Sequence, residues 1–116
     1  MGLFDKGCTI DCSARDAAIA AAQAALDAAI ALQNQIIEEQ KKVDVLTKAY
    51  AGTVSTLESA GTSLASPANL SGLNSSLNCL NNYSGELSTA ASECASEVAR
   101  CQQELAQAQA RPCDCI

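Results

Sequence analysis

The sequence predicts an all-α protein, a long antiparallel helical hairpin or coiled coil that is assembled into a multi-helix bundle or filament. Three observations lead to this prediction. Of the 116 residues, 23 are alanine, the strongest helix former. Proline occurs only at positions 67 and 112, so long stretches of chain can be helical without a break. Hydrophobic residues recur at spacings of three and four through the second half of the chain, as they do in a coiled-coil seam.

The first helix is predicted over residues 13–60, after a cysteine-containing N-terminal segment at 1–12. Ser13, or Asp11 before it, is a suitable N-cap, and Asp16 is an acid in the first turn, where the helix dipole favours it. Two lines of residues spaced by seven define the expected buried face. The first line is Ala22, Ala29, Ile36, Val43, Tyr50, Leu57 and Leu64, and its companion is Ala18, Ala25, Leu32, Glu39, Leu46, Thr53 and Ala60.

A turn is predicted at residues 61–69, where Gly61 and Pro67 interrupt the helical pattern. The second helix follows at 70–111, and Pro112 begins a cysteine-containing tail at 112–116. Two long helices joined by one short turn are most simply arranged antiparallel. The residues of the second helix that we expect to face other helices, with Cys94 and Cys101 buried beside them, are Leu70, Leu73, Leu77, Leu80, Leu87, Val98 and Leu105.

Four cysteines lie at the predicted open end of the hairpin. Cys8 and Cys12 precede the first helix, and Cys113 and Cys115 follow the second. Two disulfides, a four-thiolate metal site and free thiols are the alternatives there. Disulfides are favoured because neither pair has the C-x2-C spacing of common metal-binding turns. The total of seven cysteines is odd, so at least one cannot be paired within the chain.

The three remaining cysteines are disulfide candidates of a different kind. Cys94 and Cys101 are one heptad apart on one helix, which is too far for them to bond to each other. They are either small buried residues, or partners of a cysteine in another subunit, or able to reach a terminal cysteine if the helix locally unwinds. Cys79 lies beside the seam and is a candidate for an intermolecular bridge.

The composition argues against enzyme activity. The chain contains no histidine, which removes histidine-based acid–base catalysis, histidine-activated nucleophiles and histidine-ligated metals. It contains no glycine-rich phosphate loop and no carboxylate-rich metal loop. We therefore predict no catalytic residue, no cofactor and no metal ligand.

Charge and hydropathy also limit the partners. The net charge is -6 and the isoelectric point is near 4.4, whereas nucleic-acid surfaces need clustered lysine and arginine. No membrane insertion is expected, because polar residues interrupt the most apolar window, 17–37. We predict that the main partner is the chain itself, in a homo-oligomer or filament, and that the helices of another protein are the alternative.

The stretch between Glu58 and Glu86 contains no charged residue. It can be a solvated tip, or a surface that packs against other copies, since the centres of interfaces are depleted in charge. It also contains three N-glycosylation acceptor patterns, at Asn69, Asn74 and Asn82. The packing surface is the favoured interpretation.

The length and the two-helix plan resemble those of two groups of proteins exported without a signal peptide. One is the WXG-type substrates of type VII secretion, although Leu70-Ser71-Gly72 lacks their tryptophan. The other is the needle subunits of type III secretion, whose proline-containing turn is similar to the segment 66–70. Seven cysteines are unlike either group. The resemblance implies a self-assembling or partner-binding export substrate.

The function expected from these features is that of a non-enzymatic structural subunit that self-assembles through its helical faces into a disulfide-stabilised filament or multimer. The alternative is a small coiled-coil adaptor or export substrate that binds a partner protein's helices. The cysteine density is typical of an oxidising compartment, and the first residues do not follow the pattern of a secretory signal peptide. We expect an extracellular or cell-surface location reached by a signal-independent route, with the cytoplasm as the alternative.

Overall fold

The computed structural model describes residues 8–60 and 67–116, and in the second range the side chains from residue 70 onward. Two long helices, α1 at Ser13–Ala60 and α2 at Pro67–Ala110, pack antiparallel. Two short strands, β1 at Ile10–Asp11 and β2 at Asp114–Cys115, flank them. The predicted all-α helical hairpin is confirmed, and the strand pair is an addition that the sequence pattern did not indicate.

The ends of the helices follow the proline positions. α2 begins at Pro67 rather than at residue 70, because the first turn of a helix tolerates proline, whose fixed φ suits it and whose missing N–H needs no partner there. α2 ends at Ala110, two residues before Pro112. The turn predicted at 61–69 falls mainly on residues 61–66, which lie outside the described residues.

The chain forms two compact units, and each helix contributes to both. The first unit comprises the residues up to Gln33 together with those from Cys94 onward. Its core is built from Leu26, Ala29 and Cys101, with Val98 and Leu105 packed against them. Small residues predominate in this core, so each contact buries little apolar area.

The second unit comprises residues 34–93. Among the described residues of this unit, the buried hydrophobic ones are Val43 and Val54 of α1 and Leu87 of α2. The other seam leucines of α2 in this unit are half-buried; they are Leu70, Leu73, Leu77 and Leu80. Two helices enclose no interior beyond the line along which they touch, so this core too is thin.

One of the two lines that define the predicted buried face of α1 is wrong, because the companion line is displaced by one residue along the sequence. The line through Ala29 and Val43 does face α2, but four of the seven companion positions are exposed. Leu32 is 51% exposed and Leu46 is 47% exposed, whereas the true companion line is Ile19, Leu26, Gln33, Gln40, Thr47 and Val54. Three polar residues occupy the buried side of α1, so hydrophobicity alone selects the wrong flank.

Candidate functional site

The two ends of the chain are joined by a short antiparallel ladder. Thr9 and Ile116 exchange backbone hydrogen bonds, N–H to O at 2.8 and 2.9 Å. Ile10 lies opposite Cys115, and Asp11 lies opposite Asp114. The same register, continued by one residue, places Cys12 opposite Cys113. Backbone pairing therefore brings the terminal cysteines together.

Two disulfides close this end of the molecule. Cys8 bonds to Cys115 and Cys12 bonds to Cys113, with Cα–Cα distances of 5.1 and 4.4 Å. Both distances are within the range that a disulfide spans. The structure thus supports the disulfide alternative and assigns a connectivity that the sequence left open. Sulfur atoms in disulfides cannot act as thiolate ligands, and among the described residues no group of three or more ligating side chains could hold a metal ion.

Cys12 is also the N-cap residue of α1, immediately before its first helical residue, Ser13. Its carbonyl oxygen accepts the N–H of Asp16 at 2.8 Å, so the N-cap is Cys12 and neither Ser13 nor Asp11. The Asp11 carboxylate accepts hydrogen bonds from the hydroxyl and the N–H of Ser13, at 2.5 and 3.0 Å. Both hydrogen bonds lower the pKa of Asp11, and the one from the Ser13 hydroxyl has the larger effect. The Cys12–Cys113 bond is consequently attached to a fixed helix terminus.

The last turn of α2 is tied to the first turn of α1. The Arg15 guanidinium donates a hydrogen bond to the carbonyl oxygen of Gln109 at 3.0 Å. A cation is favourable at a helix C-terminus, where the carbonyl groups lack partners within the helix. One backbone group at each of the two helix ends nearest the disulfides, the Ser13 N–H and the Gln109 carbonyl, is therefore paired with a side chain.

Two of the three free cysteines are buried in the first unit. Cys94 is 5% exposed and Cys101 is 2% exposed. The Cys94 thiol donates to the carbonyl oxygen of Ala29 at 3.5 Å, and the Cys101 thiol lies 3.7 Å from Glu97 Oε1. Burial, reinforced by the negative charge of Glu97, raises the pKa of Cys101. These positions fit the interpretation of small core residues, because another subunit could reach them only if the helices separated.

Beside Cys101 on α2, Arg100, Glu97 and Glu104 form an exposed group of ion pairs. Arg100 binds the carboxylates of Glu97 and Glu104, one turn away on either side. The hydrogen bond from Arg100 lowers the pKa of Glu97, and the same contact raises the pKa of Arg100. Such solvent-exposed pairs contribute little to stability, so this group is best regarded as the solvated face of α2.

Cys79 is the exposed free cysteine. It lies on α2 in the second unit, in a surface depression of about 520 Å³ whose other lining residues are Ser75, Asn78, Asn82, Tyr83 and Glu86. Partial removal from water, together with a hydrogen bond donated by its hydroxyl to Glu39 at 3.2 Å, raises the pKa of Tyr83. No lysine or arginine lines the depression, so nothing there marks Cys79 as a catalytic thiol.

The outer side of α1 in the second unit is partly apolar. Val45 is 67% exposed, and a depression of about 460 Å³ lies between it and Leu46, Lys41 and Lys42. Ile37, one turn before Lys41, is also exposed. The sequence pattern does not reveal this surface, because the spacing of seven places Leu46 on the predicted buried face. The signal that could have found it is Val45, a β-branched residue placed among charges.

Three glycines lie inside the helices without a role in the chain's own packing. At Gly52, Gly72 and Gly85, a Cβ atom would meet nothing within 4 Å. Glycine lowers helix stability by about 1 kcal/mol relative to alanine. No close contact in the described part of the chain accounts for that loss.

Comparison of the chain with protein-family models, with curated protein sequences and with solved structures gave no match. In the described part of the chain, neither helix is sufficiently long and apolar to cross a membrane.

Proposed function

We propose that this protein is a non-enzymatic structural subunit that self-assembles through its helical faces into a disulfide-stabilised filament or multimer. The observation that carries the proposal is the exposed apolar surface of α1, with Val45 and Leu46 at its centre, on a chain whose own core is thin. Large hydrophobic residues on a helix surface gain stability when another surface covers them.

The uncharged first part of α2 supports the same proposal. Residues 59–85 carry no charge, although the whole chain has a net charge of -6. Soluble monomers usually carry mixed charges on their exposed faces. An uncharged, small-residue face allows another helix to approach with little desolvation of charge.

The cysteines have two roles in this proposal. The Cys8–Cys115 and Cys12–Cys113 bonds hold the subunit in its folded form. Cys79 is exposed, and the terminal cysteines are all paired, so it can cross-link only to another molecule, for example at Cys79 of a second copy. An oxidising location, extracellular or at the cell surface, suits this chemistry; a cytoplasmic location is the alternative.

Sedimentation velocity in non-reducing buffer tests the proposal. We expect a multimer that survives mild denaturant and loosens when a reductant opens the disulfides. Cys79→Ser is the matched control that separates loss of intermolecular bridges from loss of the intrachain ones. A sharp boundary at the 11.9 kDa monomer, unchanged as the protein concentration rises, would contradict the proposal.

The second candidate function is a coiled-coil adaptor or export substrate. The exposed depression beside Val45 favours it, because a partner's amphipathic helix can cover such a surface as a second copy can. Electron microscopy separates the two functions. Regular fibres support the structural subunit, and small uniform particles support the adaptor.

A further inference from the structure

We propose that copies of this chain join head-to-tail, with a lysine face on α1 of one copy docked against a glutamate face on α2 of the next. The lysine face consists of Lys41, Lys42, Val45 and Lys48. The glutamate face consists of Glu86, Thr89 and Glu93. This contact rests on the proposed self-assembly and names the surfaces that carry it.

The lysine face combines an apolar centre with positive charge. Val45 lies between Lys41 and Lys48, four residues after the first and three before the second, so all three share one side of α1. The depression beside Val45 is lined by the stems of Lys41 and Lys42. Val45 is the most exposed large hydrophobic residue of the described helices, and the described part of its own chain leaves it 67% exposed.

The positive charge of this face is only partly neutralised. Lys41 lies 3.2 Å from Glu38, and Lys48 lies 2.9 Å from Asp44, both as exposed pairs along the helix. Among the described residues Lys42 forms no ion pair. In addition, exposed pairs exchange partners at little cost. The lysines are therefore available to a second molecule of opposite charge.

The glutamate face is complementary in sign and in spacing. Glu86 and Glu93 are exposed, and neither forms an ion pair with another described residue. They are seven residues apart, as Lys41 and Lys48 are, which gives both pairs a separation of about 10.5 Å along their helices. Between them, the Thr89 hydroxyl donates to the carbonyl oxygen of Gly85 at 3.2 Å, so a hydrophobic residue can cover Thr89 without leaving its hydroxyl unpaired.

The position of the two faces determines the kind of assembly. Val45 comes two residues after the buried Val43, and Glu86 comes one residue before the buried Leu87, so both faces point away from the line where α1 meets α2. Each copy thus presents one face on each helix. A contact between two unlike faces is heterologous and continues into an open filament unless its rotation closes a ring. Pairing the glutamate face with itself would bring like charges together.

This contact does not require a disulfide. Cys79 lies on the same side of α2 as Glu86, seven residues before it, but residues 13–60 of α1 contain no cysteine that it could meet. The lysine–glutamate contact is therefore non-covalent, and salt should weaken it because mobile ions screen exposed charges over about 10 Å. Cys79→Ser should leave it in place.

Charge reversal on each face, followed by mixing, tests the contact. The first variant carries Glu86→Lys and Glu93→Lys, and the second carries Lys42→Glu and Lys48→Glu. Both variants also carry Cys79→Ser, which removes the candidate intermolecular disulfide. Each variant alone opposes like charges, so we expect each to sediment as a monomer. An equimolar mixture restores opposite charges at every contact, and we expect it to assemble as the wild type does. The control variant, Asp27→Lys with Glu58→Lys, changes the net charge as much as the first variant, and it should assemble.

The outcomes separate this inference from the proposed function. Circular dichroism first establishes that each variant is as helical as the wild type. If the wild type assembles and the two variants also assemble alone, the lysine–glutamate contact is wrong while self-assembly stands. If the mixture does not assemble, the lysine–glutamate contact is likewise wrong, and self-assembly of the wild type still stands. A monomeric wild type overturns both.

Discussion

At the scale of single residues, the three free cysteines carry the same thiol group but differ in how deeply it is buried. Cys79 is exposed, whereas Cys94 and Cys101 lie in the core of the first unit. A thiol reacts as its thiolate, so both exposure and pKa control its rate. Burial raises the pKa of Cys101, which means that at any given pH it holds less thiolate than an ordinary cysteine does.

We predict that Cys79 reacts with iodoacetamide at neutral pH much faster than Cys94 or Cys101. Because its pKa is raised, Cys101 should need a higher pH than an ordinary cysteine before its rate increases. Mass spectrometry of peptides after timed labelling measures all three sites. Labelling in denaturant is the control and should make the three rates similar. Rapid labelling of Cys101 in the native protein would show that the helices do not pack as described.

Leu87 is a buried leucine of the second unit, and we predict that Leu87→Ala lowers the free energy of unfolding by about 2–4 kcal/mol. The loss combines the lost burial of the side chain with the cavity that it leaves. Leu32→Ala is the matched control, because Leu32 is 51% exposed and lies outside the proposed assembly surface, so the same change there should cost little. Urea denaturation measures both. A loss below about half a kcal/mol at Leu87, against the range expected for a packed leucine, would contradict this register.

At the scale of the helices, periodicity predicted more of α2 than of α1. α2 has leucine, valine or cysteine at most seam positions, so spacings of three and four identify one face. α1 has alanine on several sides and carries Gln33, Gln40 and Thr47 on its buried side. All three are half-buried, and the Thr47 hydroxyl is buried without a hydrogen-bond partner among the described residues. A hydrophobicity pattern does not place such polar residues on a buried face. The error of one residue on α1 follows from that ambiguity.

The short strands could not be predicted for a related reason. β1 and β2 are two residues long, too short for an alternating pattern to be read. The sequence showed that Cys8, Cys12, Cys113 and Cys115 would approach one another, because antiparallel helices bring their ends together. The connectivity depends on the register of the ladder, which follows from backbone pairing and has no signature in side-chain type.

The exposed glycines give a prediction for α2. Gly85→Ala should raise the free energy of unfolding of the subunit by about 1 kcal/mol, because alanine loses less backbone freedom in a helix and the added Cβ has open space around it. Gly52→Ala and Gly72→Ala, at positions with the same open space, should behave alike and serve as controls. Thermal or urea unfolding measures the gain. A destabilised Gly85→Ala alone would indicate that its helix surface is covered.

At the scale of the whole molecule, the two disulfides constrain the chain together. Each spans more than a hundred residues in sequence, with separations of 107 and 101. Once one of them has formed, however, the other closes only the small ring made by the two chain ends. Cross-linking stabilises a protein mainly by reducing the entropy of the unfolded chain, and the effect grows with the length of the loop that is closed. The two bonds therefore cannot contribute independently.

We predict that removing either disulfide alone costs about 2–3 kcal/mol, since the remaining bond still closes the long loop and only a ring of about eight residues is opened. Removing the second bond as well should cost about 5 kcal/mol more, because the long loop then opens. Cys8→Ser with Cys115→Ser, and Cys12→Ser with Cys113→Ser, are the two single-bond variants, and all four changes together make the third. Urea unfolding under non-reducing conditions gives the three stabilities. If the second removal costs no more than the first, the bonds do not close a common loop, and the joined chain ends are not what holds α1 against α2.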